Sequence, residues 1–94
     1  MPTVRIEHAV PDFDRWKRAF DSDPVGRKAL GVRRYRVLRA HDDPNLVMID
    51  LDFDSAGEAA VFLQAMEKLW AGPAKAVMQN PRARVAELVE TREL

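Results

Sequence analysis

Residues 32–53 read VRRYRVLRAHDDPNLVMIDLDF, and their alternation decides the fold. Over 32–39, Val32, Arg34, Arg36 and Leu38 share one side, with Tyr35 and Val37 on the other. Over 46–53, Val47, Ile49, Leu51 and Phe53 share a side, and Met48, Asp50 and Asp52 oppose them. A period of two is the signature of a strand. The intervening His41-Asp42-Asp43-Pro44-Asn45 is a turn by composition. Two such runs joined by a short turn predict an antiparallel hairpin.

Each side of this hairpin carries a strand and a helix. Upstream, residues 3–9 alternate, with Val4, Ile6 and His8 on one face and Arg5 and Glu7 on the other. Pro11 and Asp12 then open a helix with Asp12 as N-cap. Phe13, Trp16 and Phe20 form its apolar stripe, while Arg15, Lys17 and Arg18 stay outside. Residues 21–24 break it, and a short second helical piece is expected over 25–30, stopped by Gly31. Downstream, Ser55-Ala-Gly-Glu58 reads as a capping box: the Ser55 hydroxyl accepts from the Glu58 N–H, and the Glu58 carboxylate reaches back to the Ser55 N–H. That helix is expected to run to about Trp70, burying Ala59, Phe62, Met66 and Leu69. Gly72-Pro73 interrupts it, and a short helix is expected over 74–79, halted at Asn80-Pro81. The last strand is expected over 84–91, with Ala86 and Leu88 on one face and Val85, Glu87 and Val89 on the other.

The order is βαββαβ, which predicts a single ferredoxin-like α+β domain over residues 1–94. Its four-stranded antiparallel sheet would carry both helices on one face. The first and third strands should be central, the second flanking the third and the fourth flanking the first. The opposite face is then expected to hold Arg5, Glu7, Arg34, Arg36, Asp50, Asp52 and Glu87, mixed with Val32, Leu38, Met48, Val85 and Val89. Arginines beside aspartates on neighbouring strands predict ion pairs. Such a face is either solvated and laced with ordinary ion pairs or covered by a second subunit; the aliphatic residues among the charges favour cover, hence a homodimer with its sheets face to face.

Composition narrows the function. The chain has 94 residues, no cysteine and a formal net charge of zero. Zero net charge argues against a nucleic-acid or anionic-membrane binder. Without cysteine there is no disulfide or thiolate metal site, which fits a reducing compartment. The charged residues Arg5, Glu7 and His8 interrupt any leader-like apolar core, and apolar runs such as 46–49 are too short to cross a bilayer. A cytoplasmic location is expected.

The stretch His8-Ala-Val-Pro-Asp-Phe-Asp-Arg-Trp16-Lys-Arg-Ala-Phe20-Asp, with Arg27, Gly31 and the Asp43-Pro-Asn45 turn, resembles small bacterial proteins of the dimeric α/β-barrel superfamily. These are relatives of the antibiotic-biosynthesis monooxygenase-like domains. The resemblance implies a sheet-to-sheet dimer and a small-molecule pocket between sheet and helices. Its members include cofactor-independent oxygenases, isomerases and haem-degrading enzymes. Haem degradation there goes with an Asn on the first strand, a Trp late in the second main helix and a following His. Here the first strand offers His8, Trp70 matches, and no histidine follows it. No cofactor is therefore expected.

His8 is the candidate catalytic residue. An imidazole near pH 7 suits general-base work, and His8 ends a strand face that the helices should cover. The alternative is a structural histidine, bonded through Tyr35 or a backbone carbonyl. Trp16, Phe20, Arg27, Tyr35, Phe62, Met66 and Trp70 are the candidate pocket lining; each also has a plain role in core or surface. Metal binding is not expected, because Glu7 and His8 point to opposite faces and no His-x-x-x-His pair exists. Two functions fit: a cofactor-independent monooxygenase or isomerase acting on an aromatic or polyketide-like metabolite, or a non-catalytic ligand-binding or interaction module on the same scaffold.

Overall fold

The computed structural model describes residues 1–24, 26–72 and 79–94. The elements run β1 (Pro2–Ala9), α1 (Phe13–Asp21), β2 (Arg34–Ala40), β3 (Asp43–Asp52), α2 (Ala56–Ala71) and β4 (Gln79–Glu87). The strands form one antiparallel sheet in the order β2-β3-β1-β4. This is the ferredoxin-like arrangement.

Both helices start where the side chains demand. Asp12, in extended conformation, accepts from the N–H groups of Asp14 at 3.0 Å and Arg15 at 3.3 Å. Ser55 accepts from the Glu58 N–H at 3.2 Å. The Glu58 carboxylate takes the Ser55 hydroxyl at 3.2 Å rather than the Ser55 N–H, so the cap closes side chain to side chain.

Register sorts every strand residue onto a face. The helix side carries the rows Tyr35–Leu51–Val4–Val85, Val37–Ile49–Ile6–Ala83 and Arg39–Val47–His8. Val4, Ile6, Val47, Ile49, Leu51 and Phe53 join Val10, Trp16, Val32, Ala59 and Phe62 in one buried core. The open side carries Arg34–Asp52–Thr3–Ala86, Arg36–Asp50–Arg5–Arg84 and Leu38–Met48–Glu7–Arg82.

Several expectations are corrected. Residues 27–30 form turns rather than a helix, closed by bonds such as Leu30 N–H to Gly26 O at 3.1 Å. The stop at Gly31 holds, with φ +96°. The hairpin turn is shorter than composition suggested, and Asp43, Pro44 and Asn45 belong to β3. A register shift between Arg39 and Ala40 leaves Pro44 at an irregularity where no ladder donor is required. The helix expected over 74–79 falls mostly outside the described residues, and Gln79 already belongs to β4.

The last strand lies earlier than its own alternation suggested, because β1 sets its length. Glu87 pairs with Pro2, the first residue of β1, and β4 ends at that pair. This pairing also sets the phase: Val85 and Glu87 sit on the helix side, opposite Val4 and Pro2. Val89 lies past the strand, and Val32 belongs to the core, so neither is on the open face. Leu38 and Met48 remain there, cross-strand neighbours.

Candidate active site at one end of the sheet

His8 comes one residue before the end of β1, in the last helix-side row. On β4, Glu7 faces Arg82 and Ala9 faces Gln79, so Asn80 and Pro81 together stand opposite His8. Such a bulge bends the strand and re-aims its neighbours, a frequent device beside active sites. The end is closed on the other side by the Val10 N–H bonding to Asn45 O at 2.8 Å.

The imidazole is 2% exposed. Its Nδ1 lies 3.3 Å from the Ala9 carbonyl oxygen. A carbonyl only accepts, so Nδ1 carries the proton and Nε2 keeps its lone pair. Nε2 is buried and has no partner among the described residues. Burial pushes the ring's pKa below the ordinary 6.5, against a smaller upward pull from the Ala9 carbonyl. His8 is therefore neutral near pH 7, with a buried basic nitrogen that none of the described residues engages. A buried polar atom without a partner costs about 1–3 kcal/mol, which packing alone gives no reason to accept.

Aromatic rings extend from this group. Trp16 lies 5.3 Å from His8, Phe20 lies 5.1 Å from Trp16, and Tyr35 lies 5.2 Å from Phe20, each between ring centroids. Phe13 flanks Trp16 at 5.8 Å. The stripe of α1 thus leads from His8 to the edge strand.

The other expected lining residues divide. Arg27 is half of a clamp: it donates to Phe20 O at 2.8 Å, pairs with Asp23 at 3.6 Å, and lies 3.9 Å over the Phe20 ring. Its polarity is spent on holding the loop after α1. Tyr35 is 44% exposed and sits two rows from His8, so the Ala9 carbonyl serves His8 in its place. Phe62 packs on Phe53 at 5.3 Å deep in the core. Met66 and Trp70 are partly buried against that core. Trp70 Nε1 is a second buried atom without a partner among the described residues. It belongs to the last turn of α2, and β4 begins opposite Ala9, so Trp70 comes to His8's end of the sheet.

Sequence reading missed Arg39. It shares the row of His8 across Val47, and its guanidinium lies 4.5 Å over the Phe13 ring. Alternation carries the signal: after Tyr35 and Val37, position 39 is the next on the helix side. Among the described residues there is no cluster of three or more potential metal ligands, and no helix long and apolar enough to cross a membrane.

No family model matches the chain, and no curated protein matches it significantly. Solved structures do. A protein named as a candidate antibiotic biosynthesis monooxygenase from Deinococcus radiodurans superposes with TM-score 0.70 at 14% identity, covering 100% of this chain and 98% of that one. A dimeric ferredoxin-like protein from an uncultured marine organism gives 0.66 at 10% identity, covering 100% of both chains. A variant of MhuD with two manganese protoporphyrin IX molecules bound per active site gives 0.68 at 14% identity, covering 97% and 98%. The chain has their fold. The likeness in fold covers nearly all of the chain.

Proposed function

We propose that this protein is a small cofactor-independent enzyme of the monooxygenase or isomerase type, acting on an aromatic or polyketide-like metabolite. Its first step is proton abstraction by His8 Nε2. The observation that carries the reading is the buried, neutral His8 with Nδ1–H held by Ala9 and Nε2 unpartnered. Trp16, with Phe20 beyond it, offers apolar surface beside the base, and the Trp70 N–H, without a partner among the described residues, would donate to a developing oxyanion.

The chemistry balances without an external reductant. Loss of a proton from an activated CH₂ or phenol gives an electron-rich anion. That anion transfers one electron to dioxygen, and the radical pair combines through a new C–O bond. The hydroperoxide then loses water: R₂CH₂ + O₂ → R₂C=O + H₂O. The substrate supplies all four electrons. Return of the proton to a different carbon, without oxygen, makes the same first step an isomerisation. Haem chemistry is not part of this reading: His8 Nδ1 is committed to Ala9, His41 lies exposed in the β2–β3 turn, and no histidine follows Trp70.

The same reading includes a homodimer joined through the open sheet faces. It is supported by Leu38 and Met48 standing among charges already paired within the sheet. Sedimentation at micromolar concentration tests it, and a monomer mass removes it.

The catalytic proposal is tested with a panel of anthrones and quinols, following oxygen uptake and absorbance. General-base catalysis contributes about 10²–10⁴ in rate, so His8→Ala should lose at least about a hundredfold while staying folded. Unchanged turnover in His8→Ala removes the base from the mechanism. Binding of such compounds without turnover in the wild type favours a ligand-binding module.

A further inference from the structure

The open face is not electrically balanced. Its rows hold Arg5, Arg34, Arg36, Arg82 and Arg84 against Glu7, Asp50 and Asp52. The excess sits on one side. Asp50 binds Arg5 and Arg36, and Asp52 binds Arg34. Arg82 and Arg84 have no carboxylate within ion-pair distance among the described residues, although Arg82 stands opposite Glu7. Arg84 stands directly opposite Arg5, a like-charge arrangement that disfavours the sheet on its own. Arg5, Arg82 and Arg84, with Glu7, Met48 and Asp50, line a concavity of about 380 Å³.

The same chain carries a segment whose side chains are on balance acidic, Glu90 and Glu93 against Arg92. Residues 88–94, Leu-Val-Glu-Thr-Arg-Glu-Leu, follow β4 without regular structure. Leu88 is 65% exposed and Val89 94%, an unusual display of consecutive aliphatics. Glu90 and Glu93 are exposed and have no cationic partner among the described residues. The segment leaves the sheet at the Pro2 corner. It contains no Gly, Pro, Asn or Asp to turn it back over its own face.

We infer that residues 88–94 of one copy dock on the open face of a second copy, with Glu90 and Glu93 meeting Arg82 and Arg84 of that copy. This rests on the homodimer proposed above and adds the segment and the groove that join it. Docking neutralises the unpaired arginines, relieves the Arg5–Arg84 repulsion and covers Leu88 and Val89. By symmetry each copy gives one segment and receives one.

Complementary charge reversal tests it. Glu90→Lys/Glu93→Lys and Arg82→Glu/Arg84→Glu alter exposed side chains, and circular dichroism checks that both variants stay folded. Each alone should raise the dimer dissociation constant at least about tenfold in sedimentation, because segment and groove then repel. Mixing the two should restore dimers, since both contacts of the mixed dimer become complementary. A segment folded onto its own chain gives no recovery on mixing, and that result overturns the inference. Variants that dimerise as tightly as wild type also overturn it while leaving the dimer standing. A wild type that is monomeric removes both.

Discussion

The two faces of the sheet treat polar groups in opposite ways. On the open face nearly every charge of β2, β3 and β1 has a partner. The Asp50 carboxylate takes Arg5 Nε at 2.9 Å, Arg5 Nη2 at 3.2 Å and Arg36 Nη2 at 3.0 Å. Asp52 accepts from Thr3 at 2.6 Å and Arg34 at 2.9 Å. On the helix side the buried positions of the rows are aliphatic except for His8, whose Nε2 has no partner among the described residues. Charges that pair within one sheet are architecture. A lone pair held open in the core is a cost, and such costs gather where a molecule must react or bind.

If this contrast is right, stability resides on the helix side. Phe53 is fully buried against Phe62, so Phe53→Ala should cost about 3–5 kcal/mol in urea unfolding. A loss under about 1 kcal/mol would mean that the core is not where the sheet's energy lies.

Asp50 is the test of the open face. Burial works to raise its pKa, but the hydrogen bonds of Arg5 and Arg36 outweigh it and hold the carboxyl below the ordinary 3.8. A depressed carboxyl stabilises the fold above its unfolded pKa, and that stability is lost as pH falls through about 4 and below. Its side chain is 9% exposed, while those of Arg5 and Arg36 are 62% and 68% exposed. Water can take up the freed guanidiniums, so Asp50→Asn should cost about 1–2 kcal/mol rather than the larger penalty of a fully buried pair. It should also flatten the acid limb of the stability profile. An unchanged acid limb would show that Asp50 is not held ionised by its neighbours.

His8 sharpens the contrast through the sign of its effect. His8→Leu removes a weak Nδ1 hydrogen bond but also the unsatisfied Nε2, so stability should stay level or rise by about 1 kcal/mol while turnover is lost. Because burial lowers its folded pKa, wild-type His8 opposes protonation. It therefore lowers stability as pH falls below 6.5, the unfolded value, and the leucine variant should lack that component. A loss of about 2 kcal/mol or more would mark His8 as a structural histidine. Smallest of all should be Arg34→Ala, whose side chain is 71% exposed: about 0.5 kcal/mol, and less in high salt. A larger loss would mean that a partner already covers it.

Much of this was legible in the residues. Period-two alternation marked all four strands, because one face of each meets helices and the other does not. Asp12 and Ser55 located both helix starts, since a free N–H at a helix terminus demands an acceptor nearby. Those signals are local, and they sufficed for the βαββαβ order, for the Arg–Asp pairs on β2 and β3, and for placing His8 on the covered side. The sequence by itself therefore determined the fold and named the residue most worth testing.

What it left undetermined depends on partners distant in the chain. The bounds and phase of β4 follow from β1, whose length decides that pairing ends at Glu87. That shift took Val85 off the open face and put Arg82 and Arg84 there. The tautomer of His8 was set by the Ala9 carbonyl, and its burial by the approach of Trp16. Arg27 had the look of a free cation until the loop after α1 folded it onto Phe20 and Tyr35. Local periodicity says which side of an element is wet. Only the pairing of distant strands and the packing of helices upon them decide which polar atoms find partners and which are left open.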